Sequence, residues 1–156
     1  MSQSEIALIP VSIHEKPALR RMMHEYQREM FGAEAGDYKH LDSYWEKIDR
    51  FPYFIEFDGK PVGFVLINSY TILEKNAKTI SELYVVKDYR AKGIGKETAF
   101  KSFALFPGKW EIRELKTNTQ ARKFWNKVIG EFTKNNYTEK EVDNDLWSGP
   151  IQLFET

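Results

Sequence analysis

The chain has 156 residues, 23 Lys plus Arg against 23 Asp plus Glu, and no cysteine. That length suits one domain with its own core, and the even charge balance gives no global field for nucleic acid. The missing cysteine excludes disulfides, thiolate metal sites and a cysteine nucleophile. No apolar run approaches the ~20 residues needed to span a bilayer. The opening MSQSEIALIPVS lacks the basic start and long apolar core of a signal peptide, so no membrane partner and a cytoplasmic location are expected. Phe, Tyr and Trp make up 15%, which implies a bulky core.

In chain order, residues 5–11 read as a first strand. Ser12 and Glu15 have capping-box spacing, while Pro17 marks an alternative first turn, for a helix carrying Leu19, Met22, Met23, Tyr26 and Met30. Gly32 ends that helix, and residues 32–42 form a polar loop. Ser43 and Glu46 repeat the capping-box spacing, so a short second helix carries Tyr44, Trp45 and Ile48 until Pro52. Residues 53–57 and 62–70 flank Asp58-Gly59-Lys60 and read as a hairpin. Residues 73–78 are a polar connection.

The stretch 79–106 reads as strand, basic glycine turn and helix. Ile80, Leu83, Tyr84, Val85 and Val86 favour a largely buried strand. Arg90-Ala91-Lys92-Gly93-Ile94-Gly95-Lys96 follows, and Ala99, Phe100, Phe103 and Ala104 then recur at helical spacing, which starts a helix at about Gly95. A helix N-terminus exposes unpartnered N–H groups and partial positive charge, and glycine lets a phosphate approach them. The turn is therefore either a plain tight connection or a diphosphate cradle flanked by Arg90, Lys92 and Lys96. Two phosphate motifs are excluded. The dinucleotide fingerprint needs glycine where Thr98 stands, and the P-loop needs Ser or Thr where Glu97 stands.

Beyond Pro107-Gly108, residues 110–115 alternate as a fifth strand, with Trp110, Ile112 and Leu115 set against Glu111, Arg113 and Glu114. Asn118 caps a helix whose apolar stripe is Ala121, Phe124, Trp125, Val128 and Ile129. Residues 132–138 and 146–155 read as two last strands joined by an acidic loop. The order implies an α+β chain with a mixed, twisted central sheet of about six to seven strands flanked by about four helices, spanning 1–156 as a single domain. His14, His24 and His40 lack metal-ligand spacing, so no metal is expected.

Arg90-x-x-Gly93-x-Gly95 resembles the [QR]-x-x-G-x-[GA] signature of the GNAT superfamily of acetyl-CoA-dependent N-acetyltransferases. The likeness extends upstream to Ser81-Glu82-Leu83-Tyr84-Val85. Downstream it reaches Asn118-Thr119-Gln120-Ala121-Arg122-Lys123-Phe124-Trp125, similar to that family's N-x-x-A-x-x-[LF]-[YF] helix. The resemblance implies a GNAT-like fold. Acetyl-CoA would lie as cosubstrate between the fourth and fifth strands, with its pantetheine arm paired like an added strand. Backbone groups around Val85 and Val86 would make those bonds, with Leu83 also in the cofactor set. The diphosphate would sit on Arg90, Ala91, Lys92, Gly93, Ile94, Gly95 and Lys96, with Asn118, Phe124 and Lys127 completing the cofactor set.

The implied reaction moves an acetyl group from the thioester to a primary amine by direct attack in a ternary complex. An alkylamine has a pKa near ~10 and must lose a proton first, so a base is needed. Glu82, set among apolar neighbours, is the candidate, with an ion pair to Lys or Arg as its plain structural alternative. The family's proton-donating tyrosine is replaced by Trp125, which leaves Tyr84 or Tyr137 as candidates, or a thiolate that departs unaided because its pKa is near ~8.5. The acceptor is a small-molecule or protein amine. Two acidic segments, Glu34 with Asp37 and Glu139, Glu141, Asp143 with Asp145, would favour a cationic one. A homodimer is compatible with this reading. The rival is a non-catalytic acyl-CoA-binding module of the same fold, which the Trp125 substitution keeps in play.

Overall fold

The structure, a computed structural model, describes residues 6–156. Glu5, expected to open the first strand, lies outside the described residues. Seven strands and four α-helices follow in chain order. They are β1 (Ile6–Pro10), α1 (Lys16–Phe31), α2 (Ser43–Glu46), β2 (Arg50–Phe57), β3 (Lys60–Asn68), β4 (Ala77–Val85), α3 (Ile94–Leu105), β5 (Lys109–Arg113), α4 (Thr119–Thr133), β6 (Thr138–Asp143) and β7 (Ser148–Glu155). Strand order in the sheet is β1-β2-β3-β4-β5-β7-β6. The pairs β1–β2, β5–β7 and β6–β7 are antiparallel, while β4 and β5 run parallel, so the sheet is mixed as the element order implies.

Two compact units divide the chain: Met1–Ile67 with Glu82–Thr98, and Asn68–Ser81 with Ala99–Thr156. β4 and α3 contribute to both. In the first unit the helical spacing of α1 buries Leu19 and Met23 completely, beside Leu41, Tyr44, Phe54, Phe64, Leu66 and Tyr84. Ile55, the neighbour of Phe54, joins Ile6, Val62 and Ile94 in a second cluster. Alternation along β2 explains the division, since successive side chains point to opposite faces. The Ser12–Glu15 capping box forms, with the Ser12 N–H donating to Glu15 Oε1 at 3.1 Å.

The second unit is built on aromatics. Phe103 of α3 meets Trp110, Phe132 and Phe154 edge-on, with ring centroids 5.0, 5.1 and 4.9 Å away. Such pairs add about 0.5–1.5 kcal/mol each beyond the area they bury. The aromatic-rich composition is thus spent largely on core.

Four expectations are corrected here. Residues 132–138 are not a strand. α4 continues to Thr133 and ends on Lys134 and Asn135, both left-handed at φ 56° and 64°, with the Asn135 N–H donating to Gly130 O. β6 then occupies 138–143, so Glu139, Glu141 and Asp143 stand on a strand rather than in a loop. The short second helix stops at Glu46, and Ile48 is 93% exposed. Glu111, set with the polar residues of its strand's alternation, is fully buried and accepts the backbone N–H groups of Ile72, Leu73 and Glu74 at 2.6–3.0 Å. Those three donors satisfy the carboxylate where water cannot reach it.

Candidate active site

In the first unit the site is assembled on the C-terminal half of β4. The Val86 N–H donates to Val62 O of β3 at 2.8 Å. Backbone groups alternate between the two edges of a strand, so the amides of Leu83 and Val85 point to the edge opposite β3. Both backbone groups of Val86 are engaged, because its carbonyl also accepts the Tyr89 N–H. Leu83 and Val85 therefore turn their backbone groups away from β3, while those of Val86 are taken by Val62 and Tyr89. Gly63 makes this strand pair possible, since a Cβ there would lie 2.0 Å from the Tyr84 carbonyl oxygen.

Side chains alternate as well. Tyr84 is buried, and its ring lies 5.6 Å from those of Tyr26 and Phe64. The Tyr26 hydroxyl donates to Glu82 Oε1 at 2.6 Å. Glu82 is thus held by a phenol from α1, a partner absent from the sequence reading. Burial and the neighbouring Glu82 charge push the Tyr26 hydroxyl far above the ordinary phenol range. Burial, then Glu25 and Glu29, also raise Tyr84, against the opposing effect of Arg90. Both phenols stay protonated through neutral pH and keep an O–H to donate.

The turn after β4 carries the glycine motif. A short 3-10 segment, Lys87–Tyr89, leads to Arg90, and α3 opens at Ile94. Ala91 and Gly93 both take left-handed backbone, at φ 63° and 77°. The Glu97 N–H donates to Gly93 O at 3.0 Å, so Gly93 closes the first turn of α3 and the N–H groups just after it lack helical partners. Lys92, Gly93 and Lys96 are exposed, and Ile94 anchors the turn in the core. This geometry suits an anion. Arg90 is differently engaged: its Nε donates to Val85 O at 2.8 Å, its Nη2 sits 2.6 Å from Glu29 Oε2, and its guanidinium lies 5.6 Å from the centre of the Tyr84 ring.

The second unit holds the remaining predicted residues. Asn118 caps α4 as expected, its Oδ1 accepting the Ala121 N–H at 3.0 Å. Phe124 is half-buried, Lys127 exposed and Trp125 buried. Tyr137 donates to Asn126 Oδ1 at 2.7 Å, so its hydroxyl is occupied on α4.

The acidic segments are largely neutralised. Arg122 meets Glu139 and Glu141 at 2.7 and 2.8 Å, and Asp37 is bound by Arg20 and His24. The charge argument for a cationic acceptor cannot rest on them. One buried acid was missed entirely: Glu114, which accepts Gln152 Nε2 at 2.8 Å.

β4 thus has one ladder edge directed away from β3 and runs into a glycine turn that opens a helix, a geometry suited to an anion. The Acetyltransferase (GNAT) family matches residues 18–130, and the chain is a member of that family. Among curated proteins none matches. Similar solved structures include an acetyltransferase from Thermus thermophilus, at 18% identity, covering all of both chains with a TM-score of 0.72. Aminoglycoside acetyltransferase AAC(6')-Ib in complex with coenzyme A is another, at 16% identity over 97% of this chain and 95% of that one, TM-score 0.70. The same enzyme with coenzyme A and kanamycin matches at 14% identity over the same shares, TM-score 0.70. At these identities the likeness establishes the fold. Among the described residues no group of three His, Cys, Asp or Glu is placed to hold a metal ion, and no helix is long and apolar enough to cross a membrane.

Proposed function

We propose that this chain is an acetyl-CoA-dependent N-acetyltransferase that acts on a cationic primary amine. One observation carries the reading: the β4 edge carrying the amides of Leu83 and Val85 leads straight into the Gly93 turn and the open N-terminus of α3. An extended pantetheine would pair with that edge. Its diphosphate would rest on the N–H groups from Lys92 to Lys96.

Glu82 takes the proton from the incoming ammonium. The freed amine nitrogen attacks the thioester carbonyl carbon, and a backbone N–H of β4 stabilises the oxyanion. Collapse breaks the C–S bond and releases the thiolate. Tyr84, kept protonated by burial, gives its proton to the thiolate and regains one from the attacking nitrogen, which sheds its second proton as the amide forms. The preference for a cation is supported by Glu25, whose charge acts on Tyr84, together with the Glu82 carboxylate. The kanamycin complex of a similar fold concerns an acceptor of the same chemical kind.

The test is thiol release from acetyl-CoA with a panel of polyamines, aminoglycosides and neutral amines. Turnover confined to cationic amines and lost in Glu82→Gln is expected. Coenzyme A binding with no transfer to any amine would instead favour the non-catalytic acyl-CoA-binding reading, for which the buried Trp125 in place of a tyrosine is the supporting observation.

A further inference from the structure

We infer that Glu114 and Gln152 form a buried proton-binding site, in which one proton on Glu114 Oε2 bonds to Gln152 Oε1 and closes a cyclic acid–amide pair. The inference is independent of the transferase reading. It starts from two polar atoms that are buried and have no hydrogen-bond partner, Glu114 Oε2 and Gln152 Oε1. Their residues are 4% and 0% exposed. Buried oxygens of this kind are rare and demand an occupant.

The orientation of the Gln152 amide is fixed by its neighbours. Its Nε2 donates to Glu114 Oε1 at 2.8 Å and to Glu139 Oε2 at 2.7 Å. An amide nitrogen carries two hydrogens, so both are spent on carboxylates. Turning the amide over would set its oxygen against two acceptors. An ionised Glu114 is acceptor-only and leaves both orphan oxygens unsatisfied. A protonated Glu114 has one O–H, and that donor satisfies the two oxygens together. The proton needs no cavity, which matters at a site with almost no solvent access.

The charges around the pair agree. From β6, Glu139 and Glu141 face it, and from α4 Arg122 does, bonded to both. On β5 itself the Arg113 guanidinium sits beside Glu111. Three carboxylates against Arg122 are reduced to two when Glu114 is protonated. Burial works to raise Glu139 too, but hydrogen bonds from Arg122, Gln152 and Asn126 outweigh it and hold that carboxyl below the ordinary range. Burial pushes Glu114 up to about 7, against the hydrogen bond from Gln152. Two carboxyls sharing one amide are thus driven apart, one ionised and one acidic, a pattern that places a titration at neutral pH.

The pair sits where β5 ends. The Glu114 N–H donates to Pro150 O at 3.3 Å and its carbonyl accepts Trp147 Nε1 at 3.2 Å, four residues before the α4 cap Asn118. Loss of the proton to solvent therefore loosens the β5–β7 junction that leads into α4. The folded chain binds this proton more tightly than the unfolded one. Its stabilisation is complete below the ordinary value of 4.5 and declines as pH rises to about 7.

Carbon-13 NMR of the side-chain carboxyls in the intact wild-type chain tests this directly. The Glu114 carboxyl should titrate near neutrality, and the Gln152 side-chain amide should shift with the same midpoint. A Glu114 midpoint at the usual ~4.3, or a Gln152 amide that ignores the transition, overturns the inference. Thermal melting gives a second reading. Glu114→Gln puts a permanent donor beside Gln152 Oε1, so the wild-type Tm should fall relative to the variant between pH ~4.5 and ~7 and run parallel above. A Tm difference that stays constant across that window also overturns it. Should the variant fail to fold, the wild-type titration decides alone.

Discussion

Tyr26 and Glu82, 56 residues apart in sequence, are joined by a 2.6 Å hydrogen bond from phenol to carboxylate. The bond ties α1 to β4 and fixes the orientation of the Glu82 carboxylate. A phenol donating to a carboxylate favours the ionised form, which is the form a base must have. Glu82→Gln keeps the shape and removes the base, and we expect kcat/KM to fall by ~10²–10⁴-fold with coenzyme A affinity unchanged. Tyr26→Phe removes only the positioning contact. It should cost ~10-fold in kcat and about 1–2 kcal/mol of stability, measured by amine-dependent thiol release and denaturant melts. A Glu82→Gln variant with wild-type turnover removes this carboxylate from the chemistry.

The close approach of β3 and β4 rests on Gly63. A Cβ at that position would lie 2.0 Å from Tyr84 O and 3.1 Å from the Val85 Cα, both backbone atoms that no side-chain rotation can move. Gly63→Ala should therefore destabilise the chain by about 3 kcal/mol, at the upper end of overpacking costs. Gly59 and Gly93 provide the contrast, because a Cβ at either meets nothing within 4 Å. There the penalty comes from left-handed backbone alone, φ 78° and 77°, and Ala should cost ~1–2 kcal/mol. Equal losses at positions 63 and 59 in urea titrations would contradict the steric argument.

Asn118 separates a structural role from a binding one. Its side chain caps α4 through Ala121 N, and removing an N-cap costs ~1 kcal/mol. Asn118→Ala should lower stability by that amount, while Asn118→Ser keeps an oxygen that can cap and should lower it by a few tenths. If Asn118 also contacts the cosubstrate, both variants should weaken coenzyme A binding in calorimetry, because serine cannot reproduce the amide. Affinity that tracks stability across the pair would leave Asn118 as a cap only.

Much of the framework is legible from the sequence because its signals are local. Asp58-Gly59, Pro107-Gly108, Asn118 and the Arg90–Lys96 turn each act through backbone conformation within a few residues, and each lies where its composition places it. The partnerships that give acids their character are not local. Glu111 reads as a polar residue of its strand's alternation until the N–H groups of residues 72–74 are brought to it, 37 to 39 positions away. Glu114 depends on Gln152, 38 positions on, and Glu82 on a tyrosine that helical spacing counted as core. The misread end of α4 has a different cause. Residues 132–138 contain an aromatic at each side of two asparagines, a strand-and-turn composition. Only the left-handed Lys134 and Asn135 show that the helix is closing there.

Arg90 stands at the head of the glycine motif, yet its guanidinium is spent on Glu29 and on the Val85 carbonyl. That carbonyl belongs to the ladder edge a pantetheine arm would use, so cosubstrate and Arg90 side chain compete for one acceptor. Arg90 and Glu29 are 39% and 48% exposed, and a pair so open to solvent stabilises the fold by only ~0–1 kcal/mol. Breaking it is cheap, and a diphosphate offers the guanidinium a stronger, bidentate partner. Glu29→Gln weakens the hold of α1 on Arg90. Coenzyme A should bind about threefold to tenfold more tightly to this variant at low salt, the gain shrinking as ionic strength rises, with Tm nearly unchanged. Arg90→Ala should weaken binding about tenfold or more, and the double variant should match Arg90→Ala, since Glu29 acts only through the arginine. A double variant that still shows the Glu29→Gln gain would mean the carboxylate repels the diphosphate directly and not by holding Arg90.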